Sequence, residues 1–176
     1  MVREKSLDTK KLIFLTKQLM AAVDPSAIVM VNGDVQAAIK SGAGGVHLQK
    51  TADVAKTRKV MGRKCLIGYS AHSIEDAAAG AIAGADYVTL SPIFKTESKP
   101  GYGPALGVSS IANALKASRV PIIALAGISA INAREVLRSG ASGFAVMGEV
   151  MRASDPIRTV TELINVFELE NHSQIL

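Results

Sequence analysis

The segment Lys95-Thr-Glu-Ser-Lys-Pro-Gly-Tyr-Gly-Pro-Ala-Leu-Gly107 brings two ammonium groups, Lys95 and Lys99, together with the hydroxyls of Thr96 and Ser98. Gly101, Gly103 and Gly107 let the backbone approach a ligand closely. Point charges and hydroxyl donors on a pliable backbone suit a phosphorylated small molecule. An ordinary solvated loop has the same composition. The position of the loop in the chain's architecture decides between the two readings.

That architecture is a βα repeat. Seven short apolar runs read as strands: Val2–Glu4, Ala27–Val31, Gly45–Leu48, Leu66–Tyr69, Tyr87–Ser91, Ile122–Ala126 and Gly143–Met147. They lack polar alternation, as strands buried on both faces do. Helical patterns separate them. Lys10–Ala22 carries Leu12, Leu15, Leu19 and Ala22 at helical spacing. Ser73 reads as a helix cap followed by an acidic turn, and Asp155-Pro156 opens the last helix. One junction recurs at Ser41-Gly-Ala, Ala83-Gly-Ala and Ser139-Gly-Ala, a helix end with a left-handed glycine before a strand. Alternating units of this kind demand a parallel sheet with right-handed crossovers. Gly42, Gly44 and Gly45 precede a strand rather than a helix, which argues against a dinucleotide fold.

The expected fold class is therefore α/β, a TIM-type (β/α)8 barrel, as one domain over residues 1–176. Seven strands in 176 residues fall short of the usual barrel of about 250 residues, so the first βα unit is expected to be missing. The open strand edges of such a barrel favour a homo-oligomer.

Composition narrows the function. Hydrophobic residues make up 48% of the chain, aromatics only 4%, and tryptophan is absent. The net charge of +5 fits an anionic small ligand; no basic stripe interleaved with aromatics points to nucleic acid. The single Cys65 excludes an intrachain disulfide and suits a cytoplasmic protein. No apolar run reaches the roughly 18 residues of a membrane span, so no membrane partner is expected. No His/Cys/Asp cluster has zinc spacing.

In a barrel the chemistry sits where the strands end at their C-termini. Collected there are Arg3 and Lys5, then Asn32-Gly33-Asp34, then His47, Gln49 and Lys50, then Ser70, Ala71 and His72. After them come the Lys95 loop, Gly127 and Ser129, and Met147, Gly148 and Glu149. Cations outnumber acids on this rim, as a phosphate or diphosphate ligand requires. The glycines Gly127 and Gly148 suit a backbone that binds phosphate. His47 has the apolar neighbours of a core histidine, while His72 stands before a helix cap, open to solvent or to chemistry.

The ordered motifs Arg-Glu-Lys, Val-Asn-Gly-Asp-Val, Gly-Val-His-Leu, Gly-Tyr-Ser-Ala-His-Ser, Ala-Asp-Tyr-Val, Ser-Pro-Ile-Phe-Lys-Thr-Glu-Ser-Lys-Pro and Ala-Gly-Ile-Ser resemble the thiamin phosphate synthase superfamily, from Val2 to about Pro156. That superfamily has a synthase branch and a TenI-like branch that includes thiazole tautomerases. The synthase joins hydroxymethylpyrimidine diphosphate to thiazole phosphate with Mg²⁺ help and releases pyrophosphate. The resemblance implies diphosphate binding at Arg3 and Lys5, pyrimidine contact at Asn32 and pyrophosphate contact at Ser70. It implies thiazole-phosphate binding at Thr96, Ser98 and Lys99, and by the backbone around Gly127, Met147 and Gly148.

Two departures bear on the branch. Synthases place an aspartate after that asparagine, where this chain has Gly33. They carry Gly-Gln-(Glu/Asp)-Asp after His-Leu, where this chain has Gln49-Lys50-Thr51-Ala52. The Mg²⁺ carboxylates are thus absent at their aligned positions, with Asp34 and Asp53 one residue away. These losses resemble the TenI-like branch. The expected function is therefore a TenI-like protein of thiamine biosynthesis that binds a phosphorylated thiazole and isomerises it without a cofactor. The catalytic histidine of that branch aligns with Pro92, so His72 or His47 would have to serve as the acid/base group, and His72 is the expected one. The alternatives are a Mg²⁺-dependent synthase that also takes the pyrimidine diphosphate, and a non-catalytic regulatory relative.

Overall fold

The computed structural model describes residues 1–96 and 103–173. Among these, six parallel strands form one sheet in sequence order: β1 (Met30–Asn32), β2 (Gly45–Leu48), β3 (Leu66–Ala71), β4 (Tyr87–Leu90), β5 (Ile122–Leu125) and β6 (Gly143–Ala145). The sheet curls into a half-barrel. Helices α1 (Thr9–Ala22), α2 (Val35–Ser41), α3 (Thr51–Met61), α4 (Ile74–Ile82), α5 (Ser109–Ser118), α6 (Ala133–Arg138), α7 (Gly148–Met151) and α8 (Pro156–Ser173) make the crossovers and the C-terminus. The βα alternation and the parallel sheet match the expectation from sequence. None of the described helices is long and apolar enough to cross a membrane.

Capping chemistry explains several starts. The Asp8 carboxylate accepts from Lys11 N at 2.9 Å, that of Asp34 from Ala37 N at 2.8 Å, and that of Asp155 from Arg158 N at 2.9 Å. The Ser73 hydroxyl accepts from Asp76 N at 3.1 Å, as the acidic turn after it suggested. The recurring helix-to-strand junction has the expected glycine conformation each time, with φ of 77° at Gly42, 106° at Gly84 and 94° at Gly140.

The strand runs hide two faces. Residues such as Val46, Ile67, Tyr69, Val88 and Leu90 are buried in the layer between sheet and helices. Tyr69 packs on Gly80 of α4 so closely that a Cβ at Gly80 would meet its ring. The opposite parity, Met30, His47, Gly68, Tyr87 and Thr89, lines the inside of the curl. Gly68 makes room there for both the His47 and Tyr87 rings.

The expected first strand, Val2–Glu4, is corrected to a single bridging residue. Val2 N donates to Met30 O at 2.7 Å and Val2 O accepts from Asn32 N at 2.9 Å. Arg3, Glu4 and Lys5 are then exposed, and the chain turns, with Leu7 N donating to Glu4 O. Charged side chains have no reason to stay in a buried ladder. The last strand is also shorter than expected: it stops at Ala145, and Met147 instead caps α7 with 62% of its surface exposed. β5 stops at Leu125 because Ala126 adopts a φ of 80°.

Two ion-pair clamps hold the helices. Arg58 of α3 donates to Gly84 O, Gly62 O, Cys65 O and the Asp86 carboxylate. The buried Glu170 of α8 receives Arg134 and Arg138 of α6 at 3.0 and 2.9 Å.

Candidate active site

The C-terminal ends of parallel neighbours lie side by side, about 4.8 Å apart per strand. Val2 pairs with β1 and β1 with β2, so Arg3, Asn32 and Gln49-Lys50 follow three adjacent backbones. Gln49 Nε2 donates to Asn32 Oδ1 at 3.3 Å, and Asn32 Nδ2 reaches Met1 Sδ at 3.5 Å. Arg3, Lys5 and Lys50 are exposed at this end.

Ser70, half-buried, ends the inner face of β3 and pairs in register with Thr89. His72 follows on an exposed turn. Its backbone N–H donates to Asp76 Oδ2 at 3.0 Å, while Asp76 Oδ1 accepts the Tyr69 hydroxyl at 2.6 Å. Burial, and then the Asp76 carboxylate, push the Tyr69 phenol well above its ordinary range, so it stays a donor. His72 Nδ1 lies 3.0 Å from Ser91 O. A carbonyl only accepts, so in the neutral ring Nδ1 carries the proton and Nε2 the lone pair. The Ser91 hydroxyl is 3.3 Å from the same nitrogen. Ser91 and Pro92 are joined by a cis peptide bond.

His47 is a different kind of histidine. It is buried inside the curl, and burial drives its imidazole down to about 4, with the chain's terminal ammonium a smaller cause. Tyr87, itself pushed up to about 12 by burial, gives its hydroxyl proton to Met30 Sδ at 3.2 Å. His47 forms the floor under the rim rather than part of it.

The β4 and β5 loops are pressed together. Ile93 N donates to Leu125 O at 3.0 Å and Phe94 N to Ala126 O at 3.2 Å. Ala126 takes a left-handed φ, which costs a non-glycine residue roughly 1 kcal/mol. Beside it a Cβ on Gly127 would stand 2.5 Å from Lys95 O. Asn132 holds the turn, donating to Gly127 O and accepting from Ser129 N, both at 2.9 Å. Lys95 is exposed and Thr96 half-buried at the start of the phosphate-loop candidate. Ser98 and Lys99 lie outside the described residues. Gly148 opens the short α7, with Met147 exposed before it.

Strand ends thus bring Arg3, Lys5, Asn32, Ser70, His72, Thr96, Gly127, Met147 and Gly148 to one end of the sheet. Sequence reading missed the Asn32–Gln49 pair, the Asp76 tether and the Ser91 contact to His72. For the Ser91 contact the available signal was the period-two spacing of Tyr87, Thr89 and Ser91, which a reading of this strand as lacking alternation passes over.

A Mg²⁺ ion, which the family resemblance implies, does not fit these residues. Among the described residues no group of three or more His, Cys, Asp or Glu is placed to hold a metal. Asp34 spends one carboxylate oxygen on its helix cap and the other on the Thr9 hydroxyl at 2.7 Å. Asp53 lines an open groove of about 570 Å³ between α2 and α3 together with Gly33 and Asp34, beside Lys56, Thr57 and Val60.

Residues 1–150 match the family model described as thiamine monophosphate synthase. A thiamine-phosphate synthase of Chlorobium limicola is 37% identical over 169 residues, covering 95% of this chain and 80% of that protein. One of Albidiferax ferrireducens is 36% identical over 157 residues, covering 88% and 72%. The structure of thiamine phosphate pyrophosphorylase from Pyrococcus furiosus superposes with a TM-score of 0.82 at 28% identity, covering 96% of this chain and 81% of that one.

Proposed function

The chain belongs to the thiamine monophosphate synthase family, and from that premise we propose that it joins hydroxymethylpyrimidine diphosphate to thiazole phosphate. This departs from the tautomerase expected from sequence, because the relatives bear the synthase name. The observation that carries the reading is the rim: cations of adjacent strand ends flank Asn32 on one side, and the paired β4 and β5 loops stand on the other. Two anionic groups, one at each side, would hold the reacting rings between them.

The reaction needs no proton transfer. The bond between the pyrimidine methylene and its diphosphate oxygen breaks, with the electron pair leaving on pyrophosphate. A lone pair of the thiazole makes the new bond. Arg3 and Lys5 stabilise the charge that develops on the leaving group, and Ser70 donates to it. The backbone at Gly127 and Gly148, with Thr96, Ser98 and Lys99, holds the thiazole phosphate. The architecture is proposed with it: a TIM-type (β/α)8 barrel, of which the six-stranded half-barrel is a part.

One observation favours a second reading. Gly33 and Ala52 stand where metal carboxylates are expected, which suits a TenI-like thiazole isomerase using His72 Nε2 as base. Incubation with both substrates, followed by product analysis, separates the two. Thiamin phosphate with equimolar pyrophosphate supports the synthase. An altered thiazole without coupling rejects it in favour of the isomerase.

A further inference from the structure

We infer that this chain binds the diphosphate of its pyrimidine substrate without a divalent cation, through Arg3, Lys5 and Lys50. The inference rests on the proposed function, because it concerns the same end of the sheet. It begins from the two substituted positions. Gly33 offers no side chain, and beyond its chain neighbours a Cβ there would meet nothing within 4 Å. Ala52 lies in the first turn of α3, again without an acid.

The neighbouring acids do not take over. Both Asp34 oxygens are already acceptors, from Ala37 N and Thr9 Oγ1, so the cap of α2 and the α1 contact fix the carboxylate's orientation. Asp53 shares with Asp34 the groove between α2 and α3, where Lys56 also stands. Lys50 meanwhile sits at the cap of α3, exposed, with no side-chain cap hydrogen bond. A lysine has no acceptor and can make none, so the helix gives no reason for it.

Charge arithmetic gives one. Two carboxylates and a Mg²⁺ ion sum to zero, and they hold a diphosphate only through the metal. Removing both acids and adding Lys50 leaves a positive rim that needs no metal and repels one. Arg3 follows Val2, and Lys50 follows β2, with only β1 between them. Those two backbones are roughly 10 Å apart, so long cationic side chains from both sides can close on one diphosphate. Arg3 can bind it through two parallel N–H groups and the lysines as point charges.

The test titrates inorganic pyrophosphate calorimetrically into the full chain, once with a chelator and once with excess Mg²⁺. The inference expects binding at least as tight in chelator as in Mg²⁺. It also expects Lys50→Gln to weaken binding in chelator by about tenfold or more, the scale of one charge-assisted hydrogen bond, and Lys50→Arg to restore it. Circular dichroism confirms that each variant is folded. Pyrophosphate binding that requires Mg²⁺, or that ignores Lys50→Gln, overturns the inference and leaves the proposed function standing. If thiazole phosphate binds and pyrophosphate does not under either condition, the inference falls and the isomerase reading gains. If neither anion binds, the proposed function falls as well.

Discussion

His47 Nδ1 stands 3.2 Å from the Tyr87 hydroxyl, inside the curl of the sheet. Tyr87 sends its own proton to Met30, so Nδ1–H donates to the phenol oxygen. The Thr89 hydroxyl lies 3.3 Å from Nε2 and also donates to Tyr69 O at 3.4 Å. Both ring nitrogens have a polar neighbour, and the residue is 3% exposed. A second ring proton would put a full charge into a buried site whose nearest polar partners, Tyr87 and Thr89, are both neutral.

Stability should therefore fall in mild acid. The folded-state value of about 4 lies below the ordinary 6.5, so between these pH values the unfolded chain binds a proton that the folded chain refuses. Stability is complete above 6.5, declines as pH falls through the window and levels off below about 4. The loss is up to about 3 kcal/mol, at 1.36 kcal/mol per pH unit. Urea denaturation at pH 7 and pH 4.5 measures it for this chain and for His47→Gln. The variant should lose a markedly smaller amount of stability between the two pH values. Equal losses would place the acid sensitivity elsewhere.

Much of the fold was legible because its signals are local. Gly42, Gly84 and Gly140 marked the same turn three times, and Ser73 and Asp155 marked helix starts through short capping bonds. Strand ends were less legible. Val2–Glu4 looks like a strand, yet pairing beyond Val2 would have carried Arg3 and Lys5 into a buried ladder. The site was legible as a collection of strand-end residues, since parallel order alone brings them to one rim. Its internal wiring was not. That Asp76 holds both Tyr69 and the His72 backbone depends on the distance between a strand and the next helix, which spacing along the chain does not give.

Gly127→Ala should damage the thiazole side of the site more than the fold. The added Cβ would stand 2.5 Å from Lys95 O and 2.7 Å from Phe94 Cβ, at a φ of 69°. Relief requires the β4 loop to move off β5, breaking the Phe94 N to Ala126 O bond. Strain and overpacking together cost about 1–3 kcal/mol. Thiazole-phosphate affinity should drop tenfold or more, at about 1.4 kcal/mol per decade, with pyrophosphate affinity unchanged. Parallel titrations of the two ligands check this, and equal weakening of both would contradict the assignment of the two sides.

The Arg58 clamp predicts a purely structural phenotype at the opposite end of the strands. Its guanidinium reaches Gly84 O, Gly62 O and Cys65 O, and its Asp86 partner also accepts from Ile67 N at 2.7 Å. Arg58→Ala leaves these carbonyls and one carboxylate short of donors. The side chain is largely buried and Asp86 only partly, so the cost is about 2 kcal/mol rather than that of a fully buried pair. Thermal denaturation should show a fall of about 4–8 °C for a chain of this size. Arg58→Lys should recover little, because a single ammonium cannot serve a fork of diverging acceptors.

Restoring the missing carboxylates should create metal dependence. Gly33→Asp puts a side chain into open space, at a φ of 80° that aspartate tolerates better than most residues. Ala52→Asp adds an acid to the first turn of α3, where the helix dipole favours it by about 0.3–1 kcal/mol. Millimolar Mg²⁺ should leave the melting temperature of the unmodified chain in place. It should raise that of the double variant by about 3–6 °C, the effect of ligand at roughly ten times its dissociation constant. Combining Lys50→Gln with the pair should enlarge the shift, since it removes the charge that repels the ion. A Mg²⁺-induced shift in the unmodified chain equal to that of the variant would mean that Asp34 or Asp53 already serves a metal.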